Sequence, residues 1–199
     1  MVILLAHGSG APSSSPWMVG WKKRLGAIAP TMSFDYRYML EQRRAPDPLP
    51  KLIATHREAL AAALAKHSAP AVLAGKSMGS RVGCHVALED PAVRALVCFG
   101  YPLAAAGKRK SIRDEVLLAL KVPILFVQGT RDPLCPLDLL EGVRARMQVA
   151  SHLYTVEGGD HSLVVSAAAR KASGETQADS DAKVLAAVES FLADQLPDR

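Results

Sequence analysis

The chain has 199 residues, a formal net charge of +5, and 49% apolar residues. That length suffices for one domain, 1–199, whose core buries about 70% of the unfolded surface, and no apolar run reaches the roughly 18 residues of a membrane span. The charge is spread over short runs such as Lys22-Lys23-Arg24 and Lys108-Arg109-Lys110, and only 5% of residues are aromatic; without a basic stripe carrying interleaved aromatics, nucleic acid is not an expected partner.

In chain order, Val2–Ala6 reads as a buried strand. It is too short for the apolar region of a secretory leader and has no basic residues before it. It enters His7-Gly8-Ser9-Gly10-Ala11-Pro12. A helix starts near Ser15-Pro16, where serine can cap and proline suits the first helical position. Ser33–Tyr38 alternates Phe34, Tyr36 and Tyr38 with polar residues, the pattern of a strand with one exposed face or at an edge. After a loop around Arg43-Arg44-Ala45-Pro46-Asp47-Pro48, a long helix runs through Leu52, Ile53, Leu60 and Leu64. Further strands are expected at Ala71–Ala74, Ala95–Phe99, Ile124–Val127 and Leu153–Val156. A helix through Val82 and Val86 follows the third strand. Ala167–Ser180, rich in small and polar residues, reads as a mobile surface segment. The last helix carries Val184, Leu185, Val188, Phe191 and Leu192 at helical spacing. Apolar strands alternating with helices predict an α/β fold: a six-stranded, mainly parallel sheet covered on both faces, with reactive groups at the C-terminal strand ends.

The third strand runs into Gly75-Lys76-Ser77-Met78-Gly79. This is the Gly-x-Ser-x-Gly pattern of a nucleophile elbow, a sharp strand-to-helix turn that lifts the serine hydroxyl clear of the backbone. Glycines at both ends remove side chains that would collide as strand and helix close on each other. Gly75-Lys76-Ser77 also resembles the end of a phosphate-binding loop. That motif needs a glycine five positions earlier, where this chain has Pro70 followed by an apolar strand.

A serine hydroxyl is a weak nucleophile and needs a base with an orienting carboxylate. The fifth strand is followed by Gln128-Gly129-Thr130-Arg131-Asp132-Pro133, and the sixth by Glu157-Gly158-Gly159-Asp160-His161-Ser162. The chain order Ser77, Asp132, His161 is that of α/β-hydrolase triads. Asp132 before proline also reads as a turn residue, and Asp160 is a rival carboxylate. His56, His67, His85 and His152 sit where structural roles are simpler, and His7 beside Gly8 reads as loop shaping. The oxyanion donors expected by motif position are the backbone N–H groups of Met78 and Ser9, with Gly8 as the neighbouring option. Trp17, Tyr36, Arg43, Arg44 and Tyr101 are candidates to lie near the pocket, with packing the simpler role for the aromatics.

Together with Ser15-Pro16-Trp17-Met18, Gly75-Lys76-Ser77-Met78-Gly79-Ser80-Arg81, Gly100-Tyr101-Pro102-Leu103 and Arg170-Lys171-Ala172-Ser173-Gly174, these motifs span nearly the whole chain. On them the chain resembles the small, lid-poor α/β-hydrolases related to dienelactone hydrolase. It is more closely similar to bacterial hydrolase-like proteins whose eukaryotic relatives include a subunit of a chromatin acetyltransferase complex. Dienelactone hydrolase proper uses a cysteine where this chain has Ser77, which argues against carrying over its substrate. The resemblance implies a sheet with Ser33–Tyr38 at one edge, Val2–Ala6 beside it and the elbow strand next. It leaves no room for a large cap; Leu103–Leu120 can supply at most a small cover.

The expected activity is that of a serine hydrolase of carboxylesterase or thioesterase type, with Ser77, His161 and Asp132 as triad and a small-molecule ester or thioester as substrate. No cofactor or metal is expected. Cys84, Cys98 and Cys135 are odd in number and lack Cys-x-x-Cys spacing, which fits reduced thiols in the cytoplasm. The expected assembly is a monomer or homodimer with no membrane partner. The alternative reading is an interaction or scaffold protein that has kept a hydrolase fold; acyl transfer to an acceptor other than water uses the same acyl-enzyme.

Overall fold

A computed structural model of the chain describes residues 1–105 and 108–196. The elements in order are β1 (Val2–Ala6), α1 (Pro16–Leu25), β2 (Thr31–Phe34), α2 (Arg37–Leu40), α3 (Leu49–His67), β3 (Ala71–Lys76), α4 (Met78–Ala87) and β4 (Val93–Phe99). They continue with β5 (Ala104–Ala105), β6 (Lys108–Ile112), α5 (Glu115–Leu118), β7 (Ile124–Gly129), α6 (Leu137–Arg144), β8 (Ser151–Val156), α7 (Ala167–Ser173) and α8 (Gln177–Gln195). Six strands form one sheet in the order β2-β1-β3-β4-β7-β8, and every neighbouring pair is parallel.

Parallel strands need crossovers, and the helices that supply them cover both faces. Alternate residues of each strand therefore enter two different cores. Leu4, Leu73, Leu96 and Phe126 pack with Leu60 of α3, Cys84 of α4 and Leu140 of α6 on one face. Ile3, Leu5, Val97 and Val127 pack with Trp21 of α1 and Val188 and Phe191 of α8 on the other. Burial on both sides explains why these strands read as continuous apolar runs. Among the described residues no helix is long and apolar enough to cross a membrane.

The segment expected to be a small cover contains the antiparallel pair β5–β6 and α5; positions 106 and 107 lie outside the described residues. No large cap is present among the described residues, and the edge position of the second strand is as the resemblance implied.

Three expectations change. The second strand is Thr31–Phe34 rather than Ser33–Tyr38. Its neighbour β1 ends at Ala6, opposite Phe34, so no ladder partner exists beyond that point. Tyr36 and Tyr38 are wholly buried instead, in a small cluster with Leu52, Met78 and Val82. The segment Ala167–Ser180 holds the whole of α7 and the first residues of α8 rather than an irregular stretch. Ser166 accepts a hydrogen bond from Ala169 N–H to begin α7, and Thr176 with Asp179 forms a capping box for α8. Within the segment, Thr176 and Asp179 are small polar residues used in capping. Ser15 stands at the N-cap of α1 with Pro16 in the first turn, but its side chain makes no capping bond.

Candidate active site

The apolar strand β3 ends against α4 with no intervening loop. Ser77 carries the whole turn at φ 51°, ψ −116°, a left-handed setting that a non-glycine residue adopts only when its surroundings hold it there. Its N–H donates to Phe99 O of β4 at 2.9 Å, and its carbonyl accepts from Ser80 N–H at 3.0 Å. A Cβ on Gly75 would lie 2.3 Å from Ser80 N, the strand–helix collision the motif predicts. A Cβ on Gly79 would instead lie 2.6 Å from Ala6 O. The second glycine therefore admits α4 against the end of β1, not β3.

The three side chains picked out along the chain meet at the rim of the sheet. His161 Nε2 lies 2.8 Å from Ser77 Oγ, and His161 Nδ1 lies 2.8 Å from Asp132 Oδ2. A carboxylate can only accept, so Nδ1–H donates to Asp132 and Nε2 is left to accept from the serine hydroxyl. The Asp132 side chain is fully shielded from solvent, while the His161 ring is 23% exposed. Asp132 also fills its turn role. Its Oδ1 accepts from Leu134 N–H at 2.8 Å, so one oxygen shapes the loop while the other faces the imidazole. The rival Asp160 points elsewhere, accepting from Ser162 N–H at 2.7 Å and Val164 N–H at 2.9 Å; it folds the His161 loop on itself.

Two further groups steady this array, and the motif search gave neither a role. Gln128, fully buried, donates from Nε2 to Asp132 Oδ2 at 3.1 Å and accepts from Tyr101 N–H at 2.5 Å. A glutamine closing an otherwise apolar strand was its sequence signal. Lys76 donates to Ser162 Oγ at 2.8 Å and sits 5.2 Å from the centre of the Trp17 ring. Trp17 Nε1–H donates to Ser162 O at 2.8 Å. Burial pulls the Lys76 ammonium below its ordinary pKa, with the Asp160 and Asp132 charges opposing the shift.

Both oxyanion candidates, Met78 and Ser9, line the first cleft with Ser77. Met78 is the first residue of α4, so its N–H is one of the donors a helix start leaves unused inside the helix. Ser9 lies in the loop after β1, which His7 holds in place. His7 Nδ1–H donates to Gly8 O at 2.6 Å, Nε2 accepts from Tyr36 N–H at 3.1 Å, and the Tyr38 hydroxyl donates to Ser9 O at 3.2 Å. Burial lowers the His7 pKa, which favours the neutral ring that this pair of bonds requires.

Two clefts flank Ser77. One, of about 390 Å³, is lined by Ser9, Leu52, Met78, Arg81 and Arg113. The other, of about 420 Å³, is lined by Ala11, Pro16, Trp17, Lys76 and His161. Of the other pocket candidates, Trp17 lines the second cleft. Tyr36 and Tyr101 are wholly buried packing residues. Arg43 binds Asp47 at 2.7 Å and Glu41 at 2.7 Å, and Arg44 is exposed. Cys84, Cys98 and Cys135 are buried free thiols. Among the described residues, no group of three or more His, Cys, Asp or Glu side chains is placed to hold a metal ion.

Over residues 1–193 the chain matches a family model described as an alpha/beta hydrolase domain. Solved structures share the fold at low identity. An alpha-beta serine hydrolase homologue from Coxiella burnetii is 16% identical with a TM-score of 0.70, covering 98% of this chain and 85% of that one. Est1E from Butyrivibrio proteoclasticus, solved with ferulic acid bound, is 18% identical with a TM-score of 0.72 over 99% of this chain and 90% of its own. A dienelactone hydrolase from Anabaena variabilis is 19% identical with a TM-score of 0.71 over 98% and 86%.

Proposed function

The chain belongs to the alpha/beta hydrolase family, and we propose that it is a serine hydrolase that cleaves esters or thioesters through an acyl-enzyme on Ser77. The observation that carries this reading is the continuous hydrogen-bonded line from Ser77 Oγ through the His161 ring to Asp132, with 2.8 Å at each step. The Ser77 oxygen attacks the substrate carbonyl carbon while its proton passes to His161 Nε2. The carbonyl oxygen becomes an oxyanion, stabilised by the N–H groups of Met78 and Ser9. The Asp132 carboxylate stabilises the imidazolium. Collapse of the tetrahedral adduct expels the alkoxide or thiolate, which takes the proton from Nε2. Water then repeats the sequence on the acyl-enzyme, giving its proton to His161 and releasing the acid.

A fluorophosphonate probe tests nucleophile, activation and access together. We expect covalent labelling mapped to Ser77 by peptide mass spectrometry, absent in Ser77→Ala, and p-nitrophenol release from short-chain esters. Failure of both labelling and ester cleavage by folded protein overturns the reading. It would leave the scaffold role as the better account.

A further inference from the structure

The first cleft is lined by two arginines, Arg81 and Arg113, that have no carboxylate partner among the described residues. Arg24, Arg37, Arg43, Arg57, Arg144 and Arg146 each pair with a carboxylate. Arg81 is half-buried, and among the described residues its guanidinium has no ion pair. Burial lowers the Arg81 pKa, and the neighbouring Arg113 charge lowers it further. It nevertheless stays protonated at neutral pH. Among the described residues, the Arg113 guanidinium makes one marginal hydrogen bond, from Nη1 to Pro102 O at 3.5 Å. Its backbone is fixed: the N–H donates to Leu103 O at 2.7 Å and the carbonyl accepts from the Tyr101 hydroxyl at 3.3 Å. The carboxylate on this cleft, Asp47, is already engaged by Arg43 at 2.7 Å and by Tyr38 N–H at 3.2 Å. Two like charges held together in a concave site are unfavourable unless an anion is bound between them.

We propose that Arg81 and Arg113 form a binding site for an oxyanion, carboxylate or phosphate, carried at the far end of the substrate's acyl group. This rests on the serine-hydrolase reading of Ser77. The leaving group must take its proton from His161, which lines the second cleft and not the first. The acyl group stays on Ser77 and extends the other way, into the first cleft. Arg81 N–H donates to Ser77 O at 3.2 Å, so the two backbones are one helical turn, about 5.4 Å of rise, apart, and both residues line the same cleft with Arg113. A short chain between the reacting carbonyl and the anion bridges them.

The test compares p-nitrophenyl esters with one leaving group and three acyl ends: a free glutarate carboxylate, its neutral methyl ester, and a terminal phosphonate of equal length. We expect the wild-type protein to prefer at least one anionic ester over the neutral one by about tenfold or more in kcat/KM, the scale of one charge-assisted hydrogen bond. The better of the two anionic esters identifies the oxyanion. That ratio should fall toward one in Arg81→Met and in the more exposed Arg113→Met, and partly recover in Arg81→Lys. Preference for the neutral ester, or a ratio that survives both methionine variants, overturns the proposal. A second arm is independent of turnover. In Ser77→Ala protein, glutarate or inorganic phosphate should shift the Arg81 Nε–H resonance in a nitrogen-15 spectrum, and absence of a shift with either anion overturns the site. A shift in protein whose wild-type form cleaves no ester keeps the site and removes the hydrolase reading.

Discussion

The two clefts beside Ser77 each contain a cation from the elbow motif, used in opposite ways. Lys76, one residue before Ser77, is fully engaged: its ammonium binds Ser162 and lies against Trp17, tying β3 to the loop that carries His161. Arg81, four residues after Ser77, is likewise half-buried, but it lines the first cleft beside Arg113 with no ion pair among the described residues. The walls behind them differ too. The Trp17 side rests on an apolar layer where Trp17 and Trp21 contact Phe99. Behind the Arg81 side lie Tyr36 and Tyr38, with the Tyr36 hydroxyl 3.1 Å from His56 Nδ1. One cleft is self-satisfied and anchors the His161 loop; the other has unspent charge and a polar, titratable foundation.

The largest expected effect erases the contrast. Asp132→Asn removes the acceptor that orients His161, so turnover of neutral and anionic esters alike should fall by about 10⁴-fold in steady-state assays. A loss confined to one acyl class would show that the clefts do not share the His161–Asp132 pair.

Acid should unfold the protein from the Arg81 side. His56 is wholly buried, and desolvation holds its pKa down to about 3, whereas the unfolded ring titrates near 6.5. The folded state therefore binds fewer protons than the unfolded state between these values. Stability contributed by the neutral ring is complete above about pH 6.5 and is lost as pH falls toward 3, by roughly 1.4 kcal/mol per pH unit. His7, also shifted down by burial, acts in the same direction. His56→Gln retains an acceptor for the Tyr36 hydroxyl without titrating in this range. Urea melts across pH 4–7 should show a shallower pH slope in that variant; an equal slope places acid sensitivity elsewhere.

The smallest effect sharpens the comparison. Lys76→Met removes a charged hydrogen bond and a cation–π contact but also relieves ammonium burial, so we expect a net loss of only about 1 kcal/mol by thermal melting. Turnover should drop by no more than about tenfold as the His161 loop loosens, while the preference for an anionic acyl end persists. Loss of that preference would show that Lys76, not Arg81 and Arg113, recognises the anion.

Much of this site was legible along the chain because its parts obey local rules. An apolar strand, two glycines and a helix start can hardly be anything but a tight turn that projects Ser77. Strand-end loops of a parallel sheet gather at one rim, so Asp132 and His161 followed from where the strands stop. Local rules failed where a partner from elsewhere decided the outcome. Phe34, Tyr36 and Tyr38 alternate like a strand, yet pairing stops with the end of β1, and His7 takes the Tyr36 N–H instead. The cap at Thr176 looked like a linker residue because the same side chains favour turns and helix starts.

By itself, then, the order of residues determined the fold and put Ser77, Asp132 and His161 at strand ends, since hydrophobic period and turn chemistry act over a few neighbouring positions. Only the tertiary structure decided that Asp132 rather than Asp160 faces the imidazole, that Gly79 clears β1, that Lys76 is occupied, and that Arg81 and Arg113 share a cleft. Those outcomes depend on the direction in which a side chain leaves its element and on what another element brings opposite it, and neither is encoded in spacing along one segment.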